Sequence, residues 1–182
     1  MTLVESRNLE LGQKMPPFNL LDPMGKSHDI NKEMGAAGII ILFTCNHCPY
    51  AIAIWKRIID LSKEAASIGI NTVAINPNIN PNYPDDSPEN MQKKGENLGI
   101  SFPYLVDKNQ AIAKSYNAVC TPDLYLLNNK KELMYHGRLD DNWQNESAVQ
   151  KQDLKDAVIA LANKQTIEQK QVPSMGCSIK WV

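Results

Sequence analysis

The chain has 182 residues, enough for one domain with a substantial core and too few for two. With 43% hydrophobic residues, 21% charged residues and a formal net charge of -1, it offers neither a basic field for nucleic acid nor an acidic tail. The opening segment from Met1 to Arg7 lacks the basic and apolar stretches of an export signal, and no run approaches membrane-spanning length. The expected location is therefore the cytoplasm, with no membrane and no nucleic-acid partner. Four cysteines in a reducing compartment point to catalysis or metal binding rather than to structural bridges.

Residues 1–37 hold no long periodic segment. Pro16-Pro17 and Asp22-Pro23-Met24-Gly25 bracket Phe18-Asn19-Leu20-Leu21, which predicts a short strand running into a tight turn, with Ser27–Ile30 as its returning partner. His28 reads as a surface turn residue.

The most informative stretch runs from Gly38 to Ala66. Ile39–Phe43 is β-branched and aromatic without polar alternation, the pattern of a strand covered on both faces. Cys45-Asn46-His47-Cys48 follows, and then Pro49, a residue favoured in the first turn of a helix because its missing N–H is an orphan there. Ile54, Ile58, Leu61 and Ala65 recur at helical spacing, with Lys56, Arg57, Asp60, Lys63 and Glu64 on the other side. A buried strand thus delivers two thiols to a helix start, where unpaired backbone N–H groups stabilise a thiolate. Cys45 is expected to be the nucleophile and Cys48 the thiol that resolves a mixed disulfide, while a protonated His47 would favour the Cys45 thiolate. Two plainer readings compete: a pair of small core residues, or half of a zinc site, for which isolated Cys120 and Cys177 supply no matching second pair.

Ile70–Ile75 predicts a second buried strand, parallel to the first across a β-α-β crossover. Residues 76–86, rich in Asn and Pro, form a long loop that either gates a site or merely connects. Ser87 caps the next helix, which starts at Pro88 and ends near Gly99. Phe102–Asp107 is extended, Asn109–Tyr116 a short helix, and Val119–Leu127 an apolar strand interrupted by Pro122. Leu133–Gly137 returns antiparallel, and Asp153–Lys164 is a last amphipathic helix. The acid pairs Asp85-Asp86 and Asp140-Asp141 read as solvated turns and caps. After polar residues 166–171 the chain closes with Gly176-Cys177-Ser178-Ile179-Lys180-Trp181-Val182, apolar enough to dock on the body. Cys177 is then either a resolving thiol or a buried bystander, and Cys120 reads as a core thiol beside Pro122.

With Cys45-x-x-Cys48 on a β-α-β unit, Thr121-Pro122 opening a strand, and a hairpin and helix to close, the chain resembles the thioredoxin-fold redoxins. It is most similar to the peroxiredoxin-like branch of the alkyl hydroperoxide reductase and thiol-specific antioxidant superfamily. The resemblance implies an α/β, three-layer thioredoxin-like sandwich with a mixed central sheet, an N-terminal hairpin extension and a docked tail. Residues 1–165 would form the redoxin domain and residues 166–182 the tail carrying Cys177. It also implies that Thr121 and Pro122 form a cis-proline loop facing the thiols and that no organic cofactor is needed.

Departures from the family pattern narrow the activity. Thr44 stands where a thioredoxin has Trp, the peroxidase motif Pro-x-x-x-Thr-x-x-Cys fits neither Cys45 nor Cys48, and none of the arginines, Arg7, Arg57 and Arg138, lies in the segment just before the Thr121-Pro122 strand. The leading expectation is a thiol-disulfide oxidoreductase in which Cys45, Cys48, His47, Thr121, Pro122 and a third thiol, Cys177, make the site. Its substrate would be a disulfide-bearing protein or a small thiol or peroxide, and its reductant thioredoxin or glutathione. The alternatives are a thiol peroxidase acting through Cys45 and a non-enzymatic module holding a soft metal through Cys45, Cys48 and His47 or Cys177.

Overall fold

A computed structural model describes residues 2–168 and 170–182; Met1 in the opening segment and Gln169 in the polar stretch before the tail lie outside the described residues. The strands are β1 (Leu3–Glu5), β2 (Asn19–Leu21), β3 (Ser27–Asp29), β4 (Gly38–Phe43), β5 (Ile70–Asn76), β6 (Tyr104–Val106), β7 (Cys120–Thr121), β8 (Asp123–Asn128), β9 (Leu133–Gly137) and β10 (Met175–Ser178). The helices are α1 (Ile30–Glu33), α2 (Pro49–Ser67), α3 (Pro88–Leu98), α4 (Ala111–Ser115) and α5 (Asp153–Ala162). The main sheet has the order β3-β2-β6-β5-β4-β8-β9, and a smaller sheet has the order β1-β10-β7. β4 runs parallel to β5 and antiparallel to β8, so the sheet is mixed as expected.

All six residues of β4 are buried, because its odd and even positions face two different cores. Ile40 and Leu42 pack with Ile54, Trp55, Ile58 and Leu61 of α2 and with Leu154 and Val158 of α5. Ile39, Ile41 and Phe43 pack on the opposite face with Phe18, Ala113 and Tyr116. Each fully buried isoleucine contributes roughly 2 kcal/mol from removal of apolar surface from water, so this strand alone anchors both layers. α3 starts where the sequence predicts: the Ser87 side chain accepts from the Asn90 N–H, Pro88 opens the helix, and Gly99 closes it at φ 63, a left-handed conformation suited to glycine.

Two expectations from the sequence do not hold. His28 is buried at 5% exposure in the hairpin, its Nδ1 bonded to Glu33 at 2.8 Å and its Nε2 to Asp22 at 3.1 Å, because β3 turns its middle residue inward. Asp86 and Asp140 are buried, not solvated. Asp140 pairs with the Arg57 guanidinium, which also donates to the carbonyls of Asn142 at 2.9 Å and Trp143 at 2.6 Å. Arg57 therefore straps the loop after β9 to α2 instead of lying on a solvated helix face.

Candidate active site

β4 ends at Phe43 and α2 begins at Pro49, leaving Thr44–Cys48 to cross the carboxyl edge of the sheet. The Thr44 N–H still donates to the Ile75 carbonyl at 2.9 Å, which carries the strand register to the first cysteine. Cys48 is the N-cap residue, extended at φ -77 and ψ 122, and Pro49 fills the first turn. Both thiols are fully buried and cluster with Ala51 and Cys177. All four cysteines of the chain are thiols.

The β7–β8 junction faces this pair, and its Thr121–Pro122 peptide is cis. Cys45 Sγ lies 3.2 Å from Thr121 Oγ1, and Cys48 Sγ lies 3.1 Å from the Thr121 carbonyl oxygen. The structure thus brings Cys45, Cys48, Thr121 and Pro122 together, as the sequence implies. It also brings Cys177, for β10 pairs with β7 so that Cys177 stands opposite Thr121 and Ser178 opposite Cys120. Gly176 permits this: a Cβ there would sit 2.0 Å from the Thr121 carbonyl oxygen. Cys48 is in hydrogen-bonding contact with both Cys45 and Cys177. The β7 edge beside the thiols is therefore covered by the chain's own tail. Beside it, Pro122, Trp143 and Val172–Met175 line a groove of about 230 Å³.

His47 is held by the loop after β5. Its Nδ1 bonds the Asp86 carboxylate, and its ring stacks on Tyr83 with centroids 4.8 Å apart. Asp86 also accepts from the Asn46 N–H at 2.5 Å and from Asn76 Nδ2 at 3.0 Å. Tyr104 and Lys94 hold Asn46, donating to its side-chain and main-chain oxygens, each at 3.1 Å. The Asn- and Pro-rich loop is thus the anchor of the Asn46-His47 dipeptide, not a plain connector. Sequence reasoning missed Asp86 and Tyr83; the only signal was their place in a long loop at the carboxyl end of a buried strand. One donor atom each from Cys45, His47 and Asp86 lies within 4.8 Å of the others.

Charge is distributed unequally over the thiols. A hydrogen bond from Cys45 is the main influence lowering Cys48 to about 5, with help from Cys177 and the Ala51 N–H in the first helical turn, against the cost of burial. As a thiol, Cys48 donates to the Thr121 carbonyl instead. Burial, the bond to Cys48 and the nearby Asp86 carboxylate push Cys45 up, and the Thr121 hydroxyl only partly offsets them. The Asp86 carboxylate thus acts on Cys45 against the thiolate that a protonated His47 would favour. Burial and the contact with Cys48 raise Cys177 to about 12. Burial also raises Cys120, whose Sγ is 3.7 Å from the Pro122 carbonyl oxygen, in keeping with a core thiol.

A mixed sheet sandwiched by helices, with thiols at a strand-to-helix edge facing a cis-proline, defines a redox protein of the thioredoxin fold. The chain belongs to the AhpC/TSA family, whose model matches residues 11–136, and it is a redox enzyme of that family. The match includes Cys45, Cys48, Thr121 and Pro122 and stops before the tail. Among solved structures, an uncharacterized conserved protein from Geobacillus kaustophilus is 40% identical, with a TM-score of 0.95 over 100% of this chain and 97% of that one. A hypothetical protein from Sinorhizobium meliloti 1021 is 33% identical, with a TM-score of 0.92 over 98% of each chain. The thioredoxin domain of a thiol-disulfide oxidoreductase from Bacteroides vulgatus shares the fold at 15% identity and a TM-score of 0.58, over 71% of this chain and 89% of that one. No curated protein matches.

Proposed function

We propose that the protein is a thiol-disulfide oxidoreductase whose redox pair is Cys45 and Cys48. The observation that carries this reading is the placement of both thiols against the cis Thr121–Pro122 peptide, Cys45 Sγ 3.2 Å from Thr121 Oγ1 and Cys48 Sγ 3.1 Å from the Thr121 carbonyl oxygen. A Cys48 thiolate attacks a substrate disulfide, releasing one substrate sulfur as a thiol and forming a mixed disulfide at Cys48. Cys45 then attacks Cys48 Sγ, the second substrate sulfur leaves, and two electrons and two protons have passed to the substrate. Neither step needs an organic cofactor. A small thiol such as glutathione, or a thioredoxin-like protein, would reset the pair in the opposite direction.

Equilibration against glutathione buffers, read by mass spectrometry of the alkylated protein, tests the reading. A reversible Cys45–Cys48 disulfide that disappears in Cys45→Ser and in Cys48→Ser is expected; its absence from the wild type sinks the proposal. The family match favours a thiol peroxidase as the rival enzyme. Against it, Arg57 is engaged by Asp140 and Arg138 by Asp153, leaving them committed to structural pairs rather than to polarising an O–O bond. Rapid peroxide consumption lost in Cys45→Ser would favour the rival. The close donor set of Cys45, His47 and Asp86 supports a soft-metal module as a third reading, which stoichiometric copper or zinc in protein purified without chelator would establish.

A further inference from the structure

We propose that the tail strand β10 is an internal substrate: it occupies the β7 edge and presents Cys177 to Cys48, so that a Cys45–Cys48 disulfide passes on to Cys48–Cys177. The inference rests on the redox pair proposed above and names its immediate partner. An extended segment docks on a sheet edge through main-chain hydrogen bonds, with alternate side chains reaching into the site. β10 does this antiparallel to β7, and the residue opposite Thr121 is a cysteine. Gly176, the residue before it, is packed so closely on the Thr121 carbonyl and Pro122 that a side chain is excluded. The neighbouring strand β1 holds β10 from its other side, with Leu3 opposite Cys177. Further along the tail, the Ile179 N–H donates to the Val119 carbonyl at 3.0 Å, and the Lys180 N–H to Asn78 Oδ1 at 2.8 Å. Cys177 is thus held in place by contacts on both sides.

The exchange balances without any further reagent once the pair is oxidised. Cys177 loses its proton and attacks Cys48 Sγ; the Cys45–Cys48 bond breaks as the Cys48–Cys177 bond forms; Cys45 leaves and takes up a proton. Oxidation of the pair removes the Cys48 charge that helps to keep Cys177 protonated, and Lys180 favours the Cys177 thiolate. On the leaving side, the His47–Asp86 pair lies within 4.8 Å of Cys45 Sγ, close enough for proton delivery through a small rearrangement. The result moves the disulfide from the loop before α2 to a terminal strand, where release of β10 from β1 would present it to an external thiol.

The test uses the full chain oxidised with glutathione disulfide, quenched in acid, alkylated and digested with trypsin. Cys45 and Cys48 share the peptide 33–56, and Cys177 lies on 171–180, so the two linkages differ in mass and connectivity. The expected wild-type products are both the internal 45–48 linkage and a cross-linked pair of peptides with Cys45 alkylated. Cys45→Ser should accumulate the 48–177 linkage, and Cys177→Ser should show only 45–48. If the wild type shows 45–48 alone, and Cys45→Ser yields Cys48 capped by glutathione with Cys177 alkylated, the relay is refuted while the redox pair stands. Absence of both linkages from the wild type overturns the redox pair and the relay together.

Discussion

Replacing Gly176 by alanine is the sharpest perturbation of the docked tail. The new methyl carbon would sit 2.0 Å from the Thr121 carbonyl oxygen, 2.6 Å from its carbon and 3.0 Å from Pro122 Cδ. The two nearest atoms are backbone, so a flexible side chain cannot relieve the clash and β10 must shift. Overpacking of this kind costs about 1–3 kcal/mol, set against the docking of β10 and of β1, whose strand partner is β10, and not against the main sheet. A cost of about 1–3 kcal/mol raises the undocked fraction roughly 5- to 150-fold. The assay is alkylation of the reduced protein by iodoacetamide under native conditions, with each cysteine followed by mass spectrometry. Cys48 and Cys177 should react faster by that factor, while Cys120, on β7 opposite Ser178 but with its buried Sγ 3.7 Å from the Pro122 carbonyl oxygen, should change less. Acceleration of all cysteines together would mean global destabilisation. Rates within about twofold of wild type, with the fold intact, would refute the conclusion that β10 seals the thiols.

Titration of the reduced protein should show one thiolate forming near pH 5, because Cys48 is lowered to about 5 from an ordinary 9.0. Cys45→Ala removes the largest cause of that lowering and should move the thiolate upward; an unmoved titration would assign the charge elsewhere. Since the Cys48 value is depressed on folding, its contribution to stability is complete above about pH 9 and lost as pH falls toward 5; denaturant melts of reduced wild type and Cys48→Ser should converge toward pH 5. Thr121→Val deletes the hydroxyl 3.2 Å from Cys45 Sγ. Losing about 1 kcal/mol from the reduced form makes the pair more reducing by about 20 mV in glutathione buffers, and no shift would separate Thr121 from the redox chemistry. Arg57→Met leaves Asp140 buried without its cation and should cost about 3–5 kcal/mol in denaturant unfolding; a loss below about 1 kcal/mol would show the pair to be dispensable.

The central features of the site were legible in the sequence because local signals agree there. An unbroken apolar run, a cysteine pair and a proline at a helix start all place two thiols at the edge of a sheet, and the structure puts them there. The helix from Pro88 to Leu98 was equally legible from its cap serine and closing glycine. Asp86 was not, since an acid in an Asn- and Pro-rich loop looks solvated until the loop folds back over Asn46 and His47. His28 and Asp140 were misread for the same reason: burial of a polar group is decided by partners distant in sequence, here Glu33 and Arg57 among them.

By itself the sequence determined the two-faced core strand, the crossover and the position of the cysteine pair, all of which depend on side-chain periodicity and on residues within a few positions of each other. Only the tertiary structure decided which groups surround the sulfurs, because Thr121, Asp86 and Cys177 reach them from positions distant in sequence. It also decided the fate of the tail. Nothing local sets Cys177 opposite Thr121; that register arises from pairing between the last strand, the first strand and β7, and from a glycine small enough to let two backbones touch.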